Sequence, residues 1–124
     1  NKSHIARAAL EAIALRSREI IIEMQKDAGF EFAELKVDGG ASKNNLLMQI
    51  QANLLDKVVV RSKSPESTAL GAAFFAGLSV GFWGSIEEIK SLWEKDVTFS
   101  PDSSSKNTQK VIEEWNKRIG MINE

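Results

Sequence analysis

Apolar side chains return at spacings of three, four and seven across residues 4–28, at Ile5, Ala9, Ala12, Ile13, Ile20 and Met24. Arg16, Arg18, Glu19 and Glu23 fall mostly elsewhere. That is the period of a helix with one apolar face, and Gly29 stands where a C-terminal stop belongs. The run Leu35-Lys36-Val37-Asp38 predicts a short extended segment, ended by Gly39-Gly40. A second helix is expected from about Ser42 to Leu55, with Leu46, Leu47, Ile50 and Leu54 on one face. In "KVVVR" (57–61) three consecutive valines suit a strand covered on both faces, as in a parallel sheet.

The segment "SPESTALGAAFFAGLSVGFW" (64–83) predicts a helix capped by Ser64 with Pro65 as its first residue. It is apolar on nearly every side and so is expected to be buried. Gly71 and Gly77 each cost about 1 kcal/mol of helix propensity relative to alanine, which close approach by a neighbouring element would offset. Ser85-Ile86-Glu87-Glu88 has the spacing of a capping box and starts a short helix towards Glu94. "DVTFSPDSSS" (96–105) reads as a loop with an extended piece at Val97–Phe99. A C-terminal helical segment, 107–124, carries a last helix to about Met121 with Val111, Trp115 and Ile119 in line. No internal repeat is visible, and Ser103–Ser105 is too short for a domain linker.

Helix, strand, helix, strand and then helices is an α/β order, helix-rich, with about two parallel strands joined by a right-handed crossover. Two short strands make a marginal sheet on their own. The pattern therefore reads as the end of a larger domain rather than a self-contained helical unit.

Composition narrows the chemistry. The 124 residues fit one domain, and a formal net charge of −1 with no basic run gives no nucleic-acid groove. No cysteine is present and His4 is the only histidine, so thiolate and histidine-rich metal sites are excluded. The most apolar stretch is too short and glycine-rich to span a membrane, and the first residues lack a secretory signal. A soluble, cytoplasmic protein is expected.

The stretch "VDGGASKNN" (37–45) runs an extended apolar segment into two glycines and a polar run that opens a helix. A strand running into two glycines and then a helix is either a plain tight turn or a place where main chain approaches a ligand. Residue types alone leave both open. Neither G-x-G-x-x-G nor a P-loop occurs, so a dinucleotide fold and a P-loop NTPase are unsupported.

Longer stretches carry a resemblance. "LKVDGGASKNNLLMQIQANLL" (35–55) followed by "VVVRSKSPESTALGAAFFAGLSVGFW" (58–83) resembles the C-terminal part of the FGGY family of carbohydrate kinases, and most closely its glycerol branch. "HIARAALEAIAL" (4–15) is similar to the end of a signature of that family. The likeness covers nearly the whole chain and is weakest after about Trp93. It implies an actin/hexokinase-like (ribonuclease H-like) ATPase architecture, with residues 1–124 forming the closing portion of the second, nucleotide-holding domain. Gly40 and Asn44 match ATP-binding positions of the family, with Gly39 and Ala41 beside them. Physical chemistry agrees: glycine lets main chain approach a ribose, phosphate or base, a helix N-terminus favours an anion, and an asparagine amide offers both donor and acceptor.

By the same resemblance, ATP and glycerol are the small-molecule partners, ATP acts with Mg²⁺, and homo-oligomerisation stays open. The phosphate loop, the aspartate base and the glycerol contacts of the family all match upstream of this segment. No catalytic residue and no metal ligand is therefore expected here, and the 124-residue chain alone should be inactive. Asp38 is either a metal-side or phosphate-side carboxylate or a partner of its own turn. Asn45 and Gln49 either face the cleft or form the polar side of their helix. Ser67 and Thr68 fit backbone satisfaction in a first turn, His4 reads as structural, and residues 69–78 as scaffold. Phe74, Phe75, Phe82 and Trp83 read as packing rather than a stacking platform. Two alternatives remain: a family kinase for another polyol or sugar, and a non-catalytic helical interaction module.

Overall fold

The computed structural model describes residues 1–64, 66–102 and 107–122. In chain order the elements are α1 (Lys2–Ala28), β1 (Glu34–Val37), a 3-10 turn (Gly40–Lys43), α2 (Asn45–Leu55), β2 (Val58–Ser62), α3 (Ser67–Ser79), α4 (Ile86–Ser91), β3 (Lys95–Phe99) and α5 (Thr108–Ile122). The proposed start of α3 at Pro65 and the serines 103–105 lie outside the described residues.

The sheet has the order β1-β2-β3. β1 and β2 are parallel, with Leu35 opposite Val59 and Val37 opposite Arg61. The extended piece expected at Val97–Phe99 is a full strand beginning at Lys95, and it pairs antiparallel to β2. The sheet thus has three strands, where the valine pattern predicted only the parallel pair. The third strand lessens the shortage of strands that is one support for a helical interaction module.

Val59 is fully buried, with Leu47, Met48, Ile50, Leu54, Phe99 and Ile112 around it. α1 closes this core through Leu10, Ala14 and Leu15, which corrects the expected face. Ile5 is 73% exposed and Ile20 61%, with Ile13 and Met24 also exposed. The helix is apolar on two sides, and periodicity alone does not say which side meets α2. Ala14 does: its small side chain lets the helices approach, so that Gln51 Nε2 donates to the Ala14 carbonyl at 3.4 Å. Arg18 Nε donates to the Leu54 carbonyl at 2.9 Å, capping the end of α2. Gly29 ends α1 at φ 70°, as expected of a left-handed stop.

α3 also departs from expectation. Phe75 and Phe82 are 74% exposed, Val80 is exposed, and only Gly77 is buried. Leu70 and Phe74 line a cavity together with Ile89 and Lys90 of α4, and the helix packs on the aromatic turn that follows it. There, Phe74 and Phe82 meet Trp83 edge-on at centroid distances of 5.1 and 4.8 Å. A Cβ at Gly77 would overlap the Trp83 indole, whereas Gly71 faces open space. Close approach therefore explains one glycine of the pair. Ser64 does not cap the helix: Glu66 is the N-cap residue without a side-chain bond, and Ser64 Oγ accepts the Glu66 N–H at 3.4 Å.

α4 begins as its sequence predicts. Ser85 Oγ accepts the Glu88 N–H at 3.1 Å, but the Glu88 carboxylate returns to the Gly84 N–H at 2.8 Å rather than to Ser85. α5 packs through Ile112, with Val111 and Trp115 partly buried. No helix of the described residues is long and apolar enough to cross a membrane.

Candidate functional site at the end of the parallel strands

β1 ends at Val37 and the chain turns through Gly39 at φ 80°, ψ 178°. This region of backbone conformation is essentially reserved for glycine. Nothing lies within 4 Å of a Cβ built on Gly39 or Gly40. Gly40 and Ala41 are exposed, so the main chain here is bare and accessible. Ser42 is buried beneath it and holds the turn, its Oγ donating to the Gly39 carbonyl at 2.7 Å.

α2 starts at Asn45, later than the expected Ser42, because residues 40–43 form the 3-10 turn. Asn44 becomes the helix cap: it has extended backbone, and its Oδ1 accepts the Leu47 N–H at 3.1 Å. One lone pair of its amide oxygen is thereby used. Its Nδ2 donates to none of the described residues, and the side chain is exposed beside Gly40 and Ala41. Asn44 can therefore offer a ligand two N–H donors, while its Oδ1 already gives one of its two lone pairs to the helix.

The four sequence-predicted residues, Gly39, Gly40, Ala41 and Asn44, thus lie on one short exposed turn at the C-terminal end of β1. Open α/β sheets place ligands at such strand ends. Asp38 is exposed and its carboxylate accepts no hydrogen bond from the described residues. Gln49 is structural, its Nε2 donating to Asn53 Oδ1 at 2.9 Å and to the Ser100 carbonyl at 2.8 Å. Asn45 is bound by Arg61. His4 is exposed on the first turn of α1, far along the chain from the corner. Among the described residues no group of three or more Asp, Glu or His side chains is placed to hold a metal ion.

Arg61 was not singled out from the sequence. It follows the three valines of β2 and lines a small cleft of about 170 Å³ together with Ser42, Lys43, Ser62, Lys63 and Asp96. The available signal was a cation ending a buried-type strand, with an aspartate opening the next extended piece. A larger cavity of about 650 Å³ includes Lys36, Lys63, Leu70, Phe74 and Trp93 but none of the four predicted residues. Lys36 Nζ sits 4.3 Å from the Trp93 ring centroid there. Size alone would point to that cavity; the bare main chain, the strand ends and the helix start point to the corner.

Comparison with known proteins identifies the family of the chain. The profile of the FGGY family of carbohydrate kinases, C-terminal domain, matches residues 1–80. Glycerol kinase of Borreliella burgdorferi is 55% identical over 120 residues, covering 96% of this chain and 24% of its own length. Glycerol kinase of Nitratidesulfovibrio vulgaris is 52% identical over 118 residues, covering 95% and 24%. The structure of Plasmodium falciparum glycerol kinase with ADP superposes with a TM-score of 0.83 at 37% identity, over 98% of this chain and 24% of that one. Xylulose kinase from Lactobacillus acidophilus shares the fold, with a TM-score of 0.86 at 22% identity, over 99% and 25%. The chain therefore spans about a quarter of the length of the curated relatives it matches. The chain belongs to the FGGY family of carbohydrate kinases.

Proposed function

We propose that this chain is the C-terminal portion of the nucleotide-holding domain of an ATP-dependent glycerol kinase, and that it supplies the adenosine-side wall of the ATP site. The observation that carries the reading is the exposed, side-chain-free corner at Gly39–Gly40 in a chain 55% identical to a glycerol kinase. In this reading Gly39, Gly40 and Ala41 present main chain to the adenosine, and Asn44 donates from Nδ2. The reaction moves the γ-phosphoryl group of ATP to a terminal hydroxyl of glycerol, giving glycerol 3-phosphate and ADP. Mg²⁺ neutralises phosphate charge in such transfers. We assign its ligands, the acceptor-site base and the glycerol contacts to parts of the kinase outside this chain.

The test is turnover of the complete kinase with ATP and a panel of polyols and sugars, beside the 124-residue chain alone. Phosphorylation of glycerol in preference to pentuloses by the complete kinase, and none by the chain alone, is the expected outcome. Preference for a pentulose would refute the acceptor. Glycerol turnover by the chain alone would refute the division of labour.

A further inference from the structure

Arg61 joins four elements through one guanidinium. Its Nε donates to Asp96 Oδ2 of β3 at 2.7 Å. Its Nη1 donates to the Ser42 carbonyl in the 3-10 turn at 2.9 Å and to Asn45 Oδ1 at the start of α2 at 2.8 Å. The side chain is only 13% exposed and its Cζ lies 5.7 Å from the Phe99 ring centroid. The β2–β3 register slips between Val60 and Ser62, so that Asp96 and Val97 together stand across from Arg61. A bulge of this kind re-aims a side chain, and here Asp96 is the side chain brought to the guanidinium.

The two Nη1 contacts flank Asn44, just after the glycine pair. The Ser42 carbonyl lies between Ala41 and Asn44, and Asn45 follows the cap. Gly39 and Gly40 have no side chains of their own to fix their place, and their Cβ directions meet nothing. The turn is held from below by Ser42 Oγ and from the side by Arg61. We propose that Arg61 is a positioning residue of the nucleotide site, fixing the Gly39–Asn44 turn against β2 and β3 while itself touching no nucleotide. This inference rests on the reading of that turn as the adenosine wall.

A planar fork is needed for the role. Lysine keeps the charge and can reach Asp96, but one ammonium does not reproduce the fixed fork that reaches β3, Ser42 and Asn45 together. In the complete kinase, Arg61→Lys should raise the KM for ATP and the Kd for ADP roughly tenfold, the loss of about one charge-assisted hydrogen bond. The KM for glycerol should stay unchanged. In the same complete kinase, amide hydrogen exchange should quicken at residues 40–47 and stay unchanged in β1 and β2. Asp96→Asn, which keeps the fork and weakens only its anchor, should show the same pattern to a smaller degree, and it serves if Arg61→Lys does not fold.

Unchanged nucleotide constants in Arg61→Lys, while Gly40→Val and Asn44→Ser still raise them, would overturn the role of Arg61 alone. Equal rises in both substrates' KM, with exchange quickened throughout, would overturn it in favour of general destabilisation. If Gly40→Val and Asn44→Ser also leave nucleotide binding unchanged, the reading of the corner itself fails and Arg61 falls with it.

Discussion

Asn44 Oδ1 accepts the Leu47 N–H at 3.1 Å, so the residue proposed to touch nucleotide is also the cap that starts α2. Two roles in one amide separate by substitution. Asn44→Ala should lower the unfolding free energy by about 1 kcal/mol through loss of the cap and should also weaken ADP binding. Asn44→Ser restores an acceptor for Leu47 without the Nδ2 donors, so urea denaturation should recover while ADP titration does not. Recovery of both would mean that the side chain acts on nucleotide only through the helix.

The two glycines of the corner should respond differently. Gly39 has φ 80° and ψ 178°, and Gly39→Ala should destabilise the fold by about 1–3 kcal/mol because alanine is forced into a glycine-only region. Gly40 has no such φ and open space at its Cβ, so Gly40→Ala should change stability by less than about 0.5 kcal/mol. Urea midpoints of both variants check the pair.

A second glycine pair lies in α3. Gly77→Ala drives a methyl group into the Trp83 indole, and overpacking of this kind costs about 1–3 kcal/mol. Gly71→Ala meets nothing and should stabilise the helix by up to about 1 kcal/mol. Thermal denaturation should move in opposite directions for the two.

Trp115 Nε1 donates to Glu19 Oε1 at 2.6 Å, tying α5 to α1. Burial pushes the Glu19 pKa up, but the hydrogen bonds from Trp115 and Arg16 and the charges of Arg16 and Arg18 outweigh it, leaving the carboxyl below its ordinary 4.5. A carboxylate with a depressed folded-state pKa adds stability above the unfolded value and loses it as pH falls through the folded one. The stability difference between wild type and Glu19→Gln, measured by urea unfolding, should therefore be full at neutral pH and narrow below pH 4.5. A difference independent of pH would remove the charge from the contact.

Local signals in the sequence translated well where one residue decides the geometry. Gly29 ends α1, Ser85 caps α4, and the glycine pair forms the exposed corner. The misreadings concern tertiary choice. α1 carries two apolar stripes, and Ala14, not the larger isoleucines, marks the one that meets α2. α3 reads as a core helix from its composition, yet Leu70 and Phe75 are exposed and a cavity lies between it and α4. Asn44 was legible as a polar site residue but not as a cap, since the 3-10 turn before it shifts the helix start by three residues from the expected Ser42. Arg61 escaped notice because its partners, Ser42, Asn45 and Asp96, come together only when the turn, α2 and β3 are placed around β2.

The central claim, that bare main chain at the corner makes room for adenosine, is tested most directly by titrating ADP into the complete kinase and its Gly40→Val variant. Valine adds an isopropyl group whose Cβ meets nothing within 4 Å, so the variant should fold like wild type and lose ADP affinity by at least about tenfold, or 1.4 kcal/mol. Wild-type ADP affinity in a folded Gly40→Val kinase would contradict the account.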